Sequence, residues 1–273
     1  MKTLYVTDLD GTLLNSNSKL SEFTVKTLNK LIHSGTNFSY STARSSVSAS
    51  VVTSGLITNI PVIIYNGAFI IDLQTKERLL SLYFNKTQKE MLIEVFSKYS
   101  ISPLVYKYLN DKENVNWING KENEGILNLL KIRIGDKRYI SVTNKEELYK
   151  GEIFYFTCID TKENMMPIYE ELKDNLEFTC ILQPELYRPG YWLQLMPKEA
   201  TKGNAILKLK EMLNFEKVVS FGDAINDLSM FIVSDESYAV ENAVEELKKY
   251  STGIIKSSDE DGVAHWLMEN YEK

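Results

Sequence analysis

Two short acidic motifs, one near the N-terminus and one far downstream, constrain the fold of this 273-residue chain more than any other feature. Residues 8–12 (Asp-Leu-Asp-Gly-Thr) follow the apolar stretch 4–7, and residues 222–227 (Gly-Asp-Ala-Ile-Asn-Asp) follow the apolar stretch 217–221. Short apolar stretches of this kind are typical of buried strands. Closely spaced carboxylates raise one another's pKa, and Mg²⁺, which prefers oxygen ligands, removes this conflict. Two such clusters are what a Mg²⁺-dependent phosphoryl-transfer site requires, so the fold must bring them together.

Both ends of the chain alternate between strand and helix patterns. In the N-terminal part, apolar residues at helical spacing predict a helix over residues 21–34, and strands are predicted at residues 37–41 and 61–65. From Thr201 the alternation returns, with predicted helices at 202–213, 227–233 and 262–271 and predicted strands at 217–221, 238–240 and 253–255. Strands separated by helix-sized segments imply right-handed crossovers and a parallel sheet, in which ligands lie beyond the carboxyl ends of the strands. Both acidic motifs follow predicted strands at such ends.

The middle of the chain has a different pattern. It begins with a predicted helix at residues 87–99 and then contains aromatic or β-branched runs, typical of strands, at 129–134, 153–159, 176–182 and 191–195. Residues 110–124 are polar and irregular, which favours a surface loop. We therefore predict an α/β protein with a Rossmann-like core of residues 1–81 and 195–273, whose parallel sheet is flanked by helices. An α+β domain with an antiparallel sheet, residues 82–194, is predicted to be inserted into this core.

Composition and charge narrow the class of protein. The chain is 44% hydrophobic and carries 31 Lys and Arg against 37 Asp and Glu, a net charge of −6. This balance argues against a surface that coats nucleic acid, and no apolar run approaches the roughly 20 residues that span a bilayer. The N-terminus runs directly into the first motif without the layout of a signal peptide. We expect a cytoplasmic protein, a monomer or small homo-oligomer, that binds neither nucleic acid nor membrane.

The few cysteines and histidines do not indicate a second kind of site. Cys158 and Cys180 lack metal-binding spacing, and reduced thiols are the favoured interpretation, although their spacing leaves a disulfide open. His33 and His265 lie in predicted helices and are expected to be structural or solvent-facing.

Each motif also has a purely structural interpretation. Asp-x-Asp-Gly sequences occur in surface turns and calcium loops, but residues 8–12 lack the third Asp and the closing Glu of an EF-hand loop. Asp223 and Asp227 would suit the N-terminus of a helix, and Asn66-Gly67 is a common turn sequence. Lys202 could be one of many solvated lysines. A helix cap can also be a metal ligand, so the two interpretations of the second acidic cluster are compatible.

Four motifs in order resemble the haloacid dehalogenase (HAD) superfamily, and more closely its Cof-type branch with a large α+β cap domain. They are residues 8–12, Thr42-Ala43-Arg44, Thr201-Lys202-Gly203 and residues 222–227. The resemblance covers essentially the full chain, including an inserted segment of suitable size between the third core strand and the lysine motif. Ala43 replaces a glycine that is common in this branch, so the loop or the approach of substrate can differ here. The resemblance implies a HAD-type core, a cap that selects the substrate, and Mg²⁺ as cofactor.

The same resemblance implies the catalytic roles. Asp8 would attack phosphorus and form an aspartyl-phosphate, and Asp10 would protonate the leaving group and later activate water. Thr42 would donate its hydroxyl to a phosphate oxygen. Lys202 would neutralise negative charge that otherwise repels the nucleophile from the phosphate.

Metal and substrate ligands follow from the resemblance as well. Mg²⁺ would be held by Asp8, the backbone carbonyl of Asp10, and Asp223, with Asp227 acting through a water or orienting Lys202. The expected substrate-binding residues are Gly11, Thr12, Arg44, Asn66, Gly67, Asn226, Arg188 and Trp192. The last two lie near the end of the inserted segment, where an Arg can pair with an anion and an aromatic ring can stack on a sugar. Packing within the cap is an equally simple interpretation of both.

These expectations describe a phosphatase that acts on a small phosphorylated metabolite, such as a sugar phosphate. Two alternatives stay open. A phosphomutase would use the same motifs but return the phosphoryl group to the substrate, and a non-catalytic sensor would bind Mg²⁺ or a phosphate ligand on the same fold. The intact set of Asp8, Asp10, Lys202 and Asp223 favours an enzyme over a sensor.

Overall fold

The computed structural model of the protein describes residues 2–184 and 190–271. The chain forms two compact units, the first comprising Met1–Ser81 and Ala200–Lys273 and the second comprising Leu82–Glu199. The expectation that these units act as catalytic core and cap stays a prediction. Arg188, one of the residues expected to bind substrate, lies outside the described residues.

The described chain is a mixture of β-strands and α-helices. The strands are β1 (Thr3–Thr7), β2 (Asn37–Tyr40), β3 (Val62–Ile64), β4 (Phe69–Ile71), β5 (Arg78–Ser81), β6 (Leu104–Leu109), β7 (Lys112–Ile118), β8 (Tyr139–Val142), β9 (Glu152–Asp160), β10 (Phe178–Pro184), β11 (Tyr191–Pro197), β12 (Lys217–Gly222), β13 (Glu236–Val240) and β14 (Gly253–Ile255). The α-helices are α1 (Glu22–His33), α2 (Ser46–Val52), α3 (Lys86–Lys98), α4 (Glu124–Ile132), α5 (Lys145–Leu148), α6 (Lys162–Leu172), α7 (Lys202–Leu213), α8 (Leu228–Val233), α9 (Glu245–Lys248) and α10 (Gly262–Asn270). Short 3₁₀ turns occur at Tyr65–Gly67, Ile225–Asp227 and Ser258–Glu260.

Five strands of the first unit form a parallel sheet in the order β14-β13-β12-β1-β2. All five residues of the central strand β1 are buried, as expected when both faces of a parallel sheet are covered. The flanking helix α1 buries Leu28, Leu31 and Ile32 on one stripe, and its first turn is capped by the Ser21 side chain, which accepts the Thr24 N–H. The predicted parallel α/β core is confirmed.

The third predicted strand of this unit has a mixed environment. β3 pairs antiparallel with β4, and β4 with β5, in a separate three-stranded sheet. A single parallel bridge between Ser41 and Ile63 connects β3 to the end of β2, and the Thr42 N–H donates to the Ile63 carbonyl over 3.0 Å. The bridge therefore holds the segment after β2 against β3.

The register of the parallel strands sets where the motifs lie. Thr7, the last residue of β1, is level with Phe221 of β12 and with Tyr40 of β2. The Asp8 N–H donates to the Phe221 carbonyl over 2.9 Å, and the Ser41 N–H donates to the Thr7 carbonyl over 2.8 Å. The motifs that follow β1, β2 and β12 therefore emerge side by side at one edge of the sheet.

The second unit contains a six-stranded sheet in the order β10-β11-β9-β6-β7-β8. Every neighbouring pair is antiparallel except β7 and β8, which are parallel. Leu92 and Phe96 from α3 and Ile168 from α6 are buried in one hydrophobic core with Phe156 of β9 and Leu193 of β11. The predicted α+β unit with an antiparallel sheet is confirmed, apart from the parallel pair of β7 and β8.

Two local predictions within this unit are wrong. The run 129–134, read as a strand, largely belongs to helix α4, which buries Ile126 and Leu129 three residues apart and is capped by Asn123. The stretch 110–124, read as a surface loop, contains β7 between β6 and β8. Asn110 and Asp111, with φ of 50° and 58°, form the two-residue turn that joins β6 to β7.

The cysteines are free thiols, as the sequence favours. Cys158 on β9 is level with Leu193, and Cys180 on β10 is level with Leu195, so strand β11 lies between them. Two strand spacings amount to about 10 Å, beyond the Cα separation that a disulfide spans. Burial raises the pKa of Cys180 to about 12 and that of Cys158 further. In the described part of the chain, no helix has the length and apolar character needed to cross a membrane.

Candidate active site

The loop after β1 is a tight turn that needs a glycine. The Leu9 carbonyl accepts the N–H groups of Leu13 and Leu14 over 3.1 and 2.8 Å, which reverses the chain directly after Asp8. Gly11 has φ of +77°, and a Cβ at this position would lie 2.3 Å from Asp223 Oδ2. An L-residue is strained at this φ and would displace the Asp223 carboxylate. Gly11 therefore supports the site through close backbone approach to the second acidic motif.

A buried lysine joins the two acidic motifs. Lys202 is the first residue of α7, whose N-cap Thr201 accepts the Asn204 N–H through its hydroxyl. Lys202 Nζ donates to Asp8 Oδ1 over 2.5 Å and to Asp227 Oδ1 over 2.6 Å, and the residue has no exposed surface. Burial opposes the charge on Lys202, but the two carboxylates outweigh this and raise its pKa above the ordinary value. The two carboxylates therefore favour the charged form of Lys202 beside Asp8.

Both carboxylate oxygens of Asp227 accept hydrogen bonds within the site. Besides accepting from Lys202, it accepts the N–H groups of Asp223 and Ala224 through Oδ2, over 2.9 and 3.0 Å. A Cβ on Gly222 would lie 2.7 Å from Asp227 Cβ, so glycine is needed where the chain passes this side chain. Asp227 thus orients both Lys202 and the turn that carries Asp223.

Asp223 faces the first motif. Its Oδ1 accepts the Thr12 hydroxyl over 2.9 Å, and its carbonyl accepts the Val244 N–H over 2.9 Å. Burial, followed by the Asp227 charge, raises the pKa of Asp223 to about 7, while the Thr12 bond and Lys202 oppose the shift. The Thr12 hydroxyl therefore donates to the Asp223 carboxylate.

Three of the aspartates can share one cation. Asp8, Asp223 and Asp227 each have a carboxylate oxygen within 4.8 Å of the others, and no other group of three or more potential ligands was found in the described part of the chain. Burial is the largest effect that raises the pKa of Asp8 well above its ordinary value; Lys202 opposes it, and the neighbouring carboxylates add to it. One ammonium does not balance these carboxylates, so the all-oxygen site fits a hard divalent cation.

The raised pKa of Asp223 predicts that cation affinity depends on pH. Below pH 7 the Asp223 carboxyl retains a proton that a cation must displace, so affinity should fall as pH drops through this value. For this one proton we expect the dissociation constant to rise by up to about tenfold for each pH unit below that point. Isothermal titration calorimetry with Mg²⁺ at pH 5.5, 6.5 and 8 would measure this, and equal affinity at all three would contradict it.

The side chain of Asp10 points to a different partner. Arg44 donates from Nε to Asp10 Oδ2 over 2.6 Å and from Nη2 to Asp10 Oδ1 over 2.5 Å. Arg44 Nη1 also donates to Ser48 Oγ over 3.1 Å. Asp10 is thus outside the carboxylate cluster, and two nitrogens of one guanidinium donate to its side chain.

Thr42 and the turn at Tyr65–Gly67 connect the remaining motifs. The buried Thr42 hydroxyl accepts the Arg44 N–H over 3.1 Å, and the Thr42 carbonyl accepts the Asn66 N–H over 2.9 Å. Asn66 has φ of 53°, which Asn tolerates better than most residues, and its Oδ1 accepts from Asn226 Nδ2 over 3.1 Å. A Cβ on Gly67 would lie 2.1 Å from the Thr201 carbonyl, so this turn packs directly against the start of α7.

Asn242 contacts the candidate site and was not singled out by the sequence analysis. Its Nδ2 donates to the Gly11 carbonyl over 2.7 Å, and its Oδ1 accepts the Ser258 N–H over 2.9 Å. It therefore connects the loop after β1 to the C-terminal part of the chain. The available signal was its position just after β13, at the carboxyl end of another strand of the parallel sheet.

The structure brings most of the expected core residues together. The contacts above link a first group of residues, namely Asp8, Gly11, Thr12, Lys202, Asp223 and Asp227. They also link a second group, namely Asp10, Thr42 and Arg44. The two groups are joined by Asn66, Gly67 and Asn226. Trp192 lies on β11 in the second unit, level with Ile159 of β9 on one side and Gln183 of β10 on the other. No role for it follows from these contacts.

Comparison with known proteins agrees with the sequence resemblance. The sequence model of the haloacid dehalogenase-like hydrolases matches residues 5–267. A Bacillus subtilis protein named 5-amino-6-(5-phospho-D-ribitylamino)uracil phosphatase is 27% identical, and the alignment covers 95% of each chain.

Solved structures agree in fold. A crystal structure from Thermotoga maritima superposes with a TM-score of 0.78 at 27% identity, covering 100% of this chain and 99% of that one. A haloacid dehalogenase-like hydrolase from B. subtilis superposes with a TM-score of 0.80 at 21% identity and full coverage of both chains, a likeness of fold alone. The match therefore extends over both units.

Proposed function

This chain belongs to the haloacid dehalogenase-like hydrolase family and is a phosphatase, and we propose that it hydrolyses a small phosphomonoester, such as a sugar phosphate, through an aspartyl-phosphate on Asp8 with Mg²⁺ as cofactor. The observation that carries this proposal is the buried contact of Lys202 with Asp8 beside Asp223. A charged lysine on Oδ1 of Asp8 leaves Oδ2 to attack phosphorus. It also reduces the repulsion between the carboxylate and an anionic phosphate.

Mg²⁺ would be held by Asp8, Asp223 and the backbone carbonyl of Asp10. Asp227 would act mainly through Lys202 or a water, because both its oxygens already accept hydrogen bonds. When bound, the ion supplies positive charge against the phosphoryl oxygens and the carboxylates. Its charge would also oppose the raised pKa of Asp8 and Asp223, keeping both groups ionised.

The reaction then proceeds in two balanced steps. In the first, Asp8 Oδ2 forms a bond to phosphorus, the ester P–O bond breaks, and Asp10 gives a proton to the leaving oxygen. In the second, Asp10 takes a proton from water, the water oxygen bonds to phosphorus, and the Asp8 carboxylate leaves. Inorganic phosphate and the free alcohol are the products, and both aspartates return to their starting states.

Thr42 would bind the phosphoryl group. Its hydroxyl accepts the Arg44 N–H, so its own proton remains for donation to a phosphoryl oxygen. Asn226 could supply a second donor from the opposite motif, while Asn66 holds its side chain in place. Gly67 and Gly11 would act by letting the backbone approach closely, and Thr12 by holding Asp223.

The leaving group would be selected by the second unit, which we propose is a substrate-specificity cap formed by residues of the predicted insertion 82–194. The curated B. subtilis relative is named for a phosphate ester on a ribityl chain. A polyol or sugar phosphate is therefore the substrate class we favour. Arg188 and Trp192 remain candidates for contacts with that leaving group.

Hydrolysis of p-nitrophenyl phosphate tests this function. We expect Mg²⁺-dependent release of one inorganic phosphate per ester, loss of activity in excess EDTA, and inhibition by Ca²⁺, whose longer bonds and extra ligands would spoil alignment of the nucleophile. Sugar and ribityl phosphates should be preferred over the synthetic ester in kcat/KM. Full activity in EDTA would remove the metal, and isomerised sugar phosphate without phosphate release would indicate a mutase.

A further inference from the structure

Arg44 binds the predicted acid–base group with a geometry that fixes its direction. Two nitrogens of one planar guanidinium meet the two oxygens of Asp10 over 2.6 and 2.5 Å. A bidentate pair of this kind restrains both the position and the rotation of the carboxylate, which a single hydrogen bond cannot do. The side chains of Arg44 and Asp10 are 22% and 31% exposed, so solvent screens the pair only in part.

Arg44 is itself held at several points. Its N–H donates to the Thr42 hydroxyl, its carbonyl accepts the Tyr65 N–H over 3.1 Å, and its third guanidinium nitrogen donates to Ser48 Oγ on α2. The arginine therefore connects the backbone after β2 and the first turn of α2 to Asp10. Such a fixed donor fork is suited to holding another side chain in place.

We infer that Arg44 is a positioning residue for Asp10, and that its contribution to turnover is made through Asp10 rather than through contact with the substrate. This inference rests on the proposed function, because it assumes the acid–base role of Asp10. It assigns Arg44 a different task from the substrate contact expected from sequence.

The pairing suits one half of the reaction better than the other. Both oxygens of Asp10 accept N–H groups from Arg44, an arrangement that holds the carboxylate in one orientation for the attack of water in the second step. Formation of the aspartyl-phosphate from p-nitrophenyl phosphate needs no acid, because this leaving group needs no proton. With this ester, hydrolysis of the aspartyl-phosphate should therefore depend on Arg44 more than its formation does.

A double-mutant cycle between Arg44 and Asp10 tests the inference. Single-turnover release of p-nitrophenolate and of phosphate would be measured for Arg44→Ala, Asp10→Asn and the double variant with Mg²⁺. We expect Arg44→Ala to slow phosphate release by about 10- to 100-fold, because acid–base groups contribute on this scale. Formation of p-nitrophenolate in the first turnover and KM should change by less than about threefold, since this leaving group needs no proton. In the Asp10→Asn background, Arg44→Ala should cost less than about threefold further.

Other outcomes separate the alternatives. An equal loss in both backgrounds, or a rise in KM in both, would overturn the inference and return Arg44 to a substrate contact. Arg44→Lys should recover only part of the rate, because an ammonium cannot bind both oxygens as a fork. Arg44→Gln preserves much of the aliphatic part of the side chain and carries the test if the alanine variant is unstable. The matched control is Arg78→Ala, which replaces an arginine on β5 and is expected to keep the wild-type rates. Activity that survives Asp8→Asn would instead refute the proposed function itself.

Discussion

Replacement of Asp8 by Asn is expected to abolish phosphatase activity while leaving the fold intact. The amide cannot act as the attacking carboxylate and is a poorer ligand for a hard cation, so kcat should fall by about a thousandfold or more. The amide oxygen of the replacement side chain can still accept a hydrogen bond from Lys202. The substitution also removes a buried carboxyl group whose pKa is already raised. Steady-state kinetics with p-nitrophenyl phosphate and thermal unfolding monitored by circular dichroism would measure both effects.

A matched substitution in the same unit supplies the control. Asp72 accepts the Gln74 and Thr75 N–H groups in a turn, contacts that Asn can also make, so Asp72→Asn should retain wild-type kcat. Asp8→Asn with more than about a tenth of wild-type kcat would contradict the nucleophile assignment, because loss of a covalent-catalysis residue costs orders of magnitude.

Replacement of Lys202 by Met is expected to have the second large effect, on both activity and stability. Met has a similar length without the charge, so the Asp8 and Asp227 carboxylates lose their shared cation inside the protein. Activity should fall by about a hundred- to a thousandfold, as for loss of a preorganised charge at a reacting group. Removing one partner of a buried ion pair also costs about 3–5 kcal/mol of unfolding free energy.

The loss of stability in Lys202→Met should depend on pH. Asp8 has a raised pKa in the folded protein, and Lys202 is the group that opposes the shift. Without the lysine, the pKa of Asp8 in the folded protein rises further. The variant therefore keeps its stability at low pH, where the Asp8 carboxyl is protonated, and loses stability as pH increases. In EDTA, the loss of Tm in Lys202→Met should therefore be larger at pH 8 than at pH 5.

A lysine on the same helix provides the comparison. Lys210 of α7 pairs with Asp235 over 3.3 Å at a partly exposed site, where ion pairs contribute little. Lys210→Met should leave activity unchanged and lower Tm only slightly at either pH. Equal Tm losses for the two variants, or a loss in Lys202→Met that is greater at pH 5, would refute the buried-charge explanation.

The core of this protein was predictable because its signals are local. Apolar stretches at residues 4–7 and 217–221, with helical spacing between such stretches, indicated parallel strands that end at the acidic motifs. Those strands are β1 and β12, and they are neighbours in the sheet. In parallel sheets the carboxyl ends meet at one edge, so strand assignment alone was enough to place Asp8 near Asp223.

Local patterns were less informative in the second unit. Residues 129–134 are apolar enough for a strand, but Ile126 and Leu129 are buried at helical spacing against the rest of that unit. The polar residues 112–118 form a strand because β6 and β8 lie on either side of them, which no local periodicity records. Tertiary pairing here outweighs intrinsic preference.

Sequence by itself determined the family and the parallel core, and it named the acidic, hydroxyl and lysine side chains expected at the site. Only the tertiary structure decided which of them pair: Arg44 with Asp10, Lys202 with Asp8 and Asp227, and Thr12 with Asp223. The physical reason is range. Helix and strand patterns report neighbours a few residues apart, whereas a hydrogen bond between distant residues depends on register and on side-chain direction, which are set when the whole core packs.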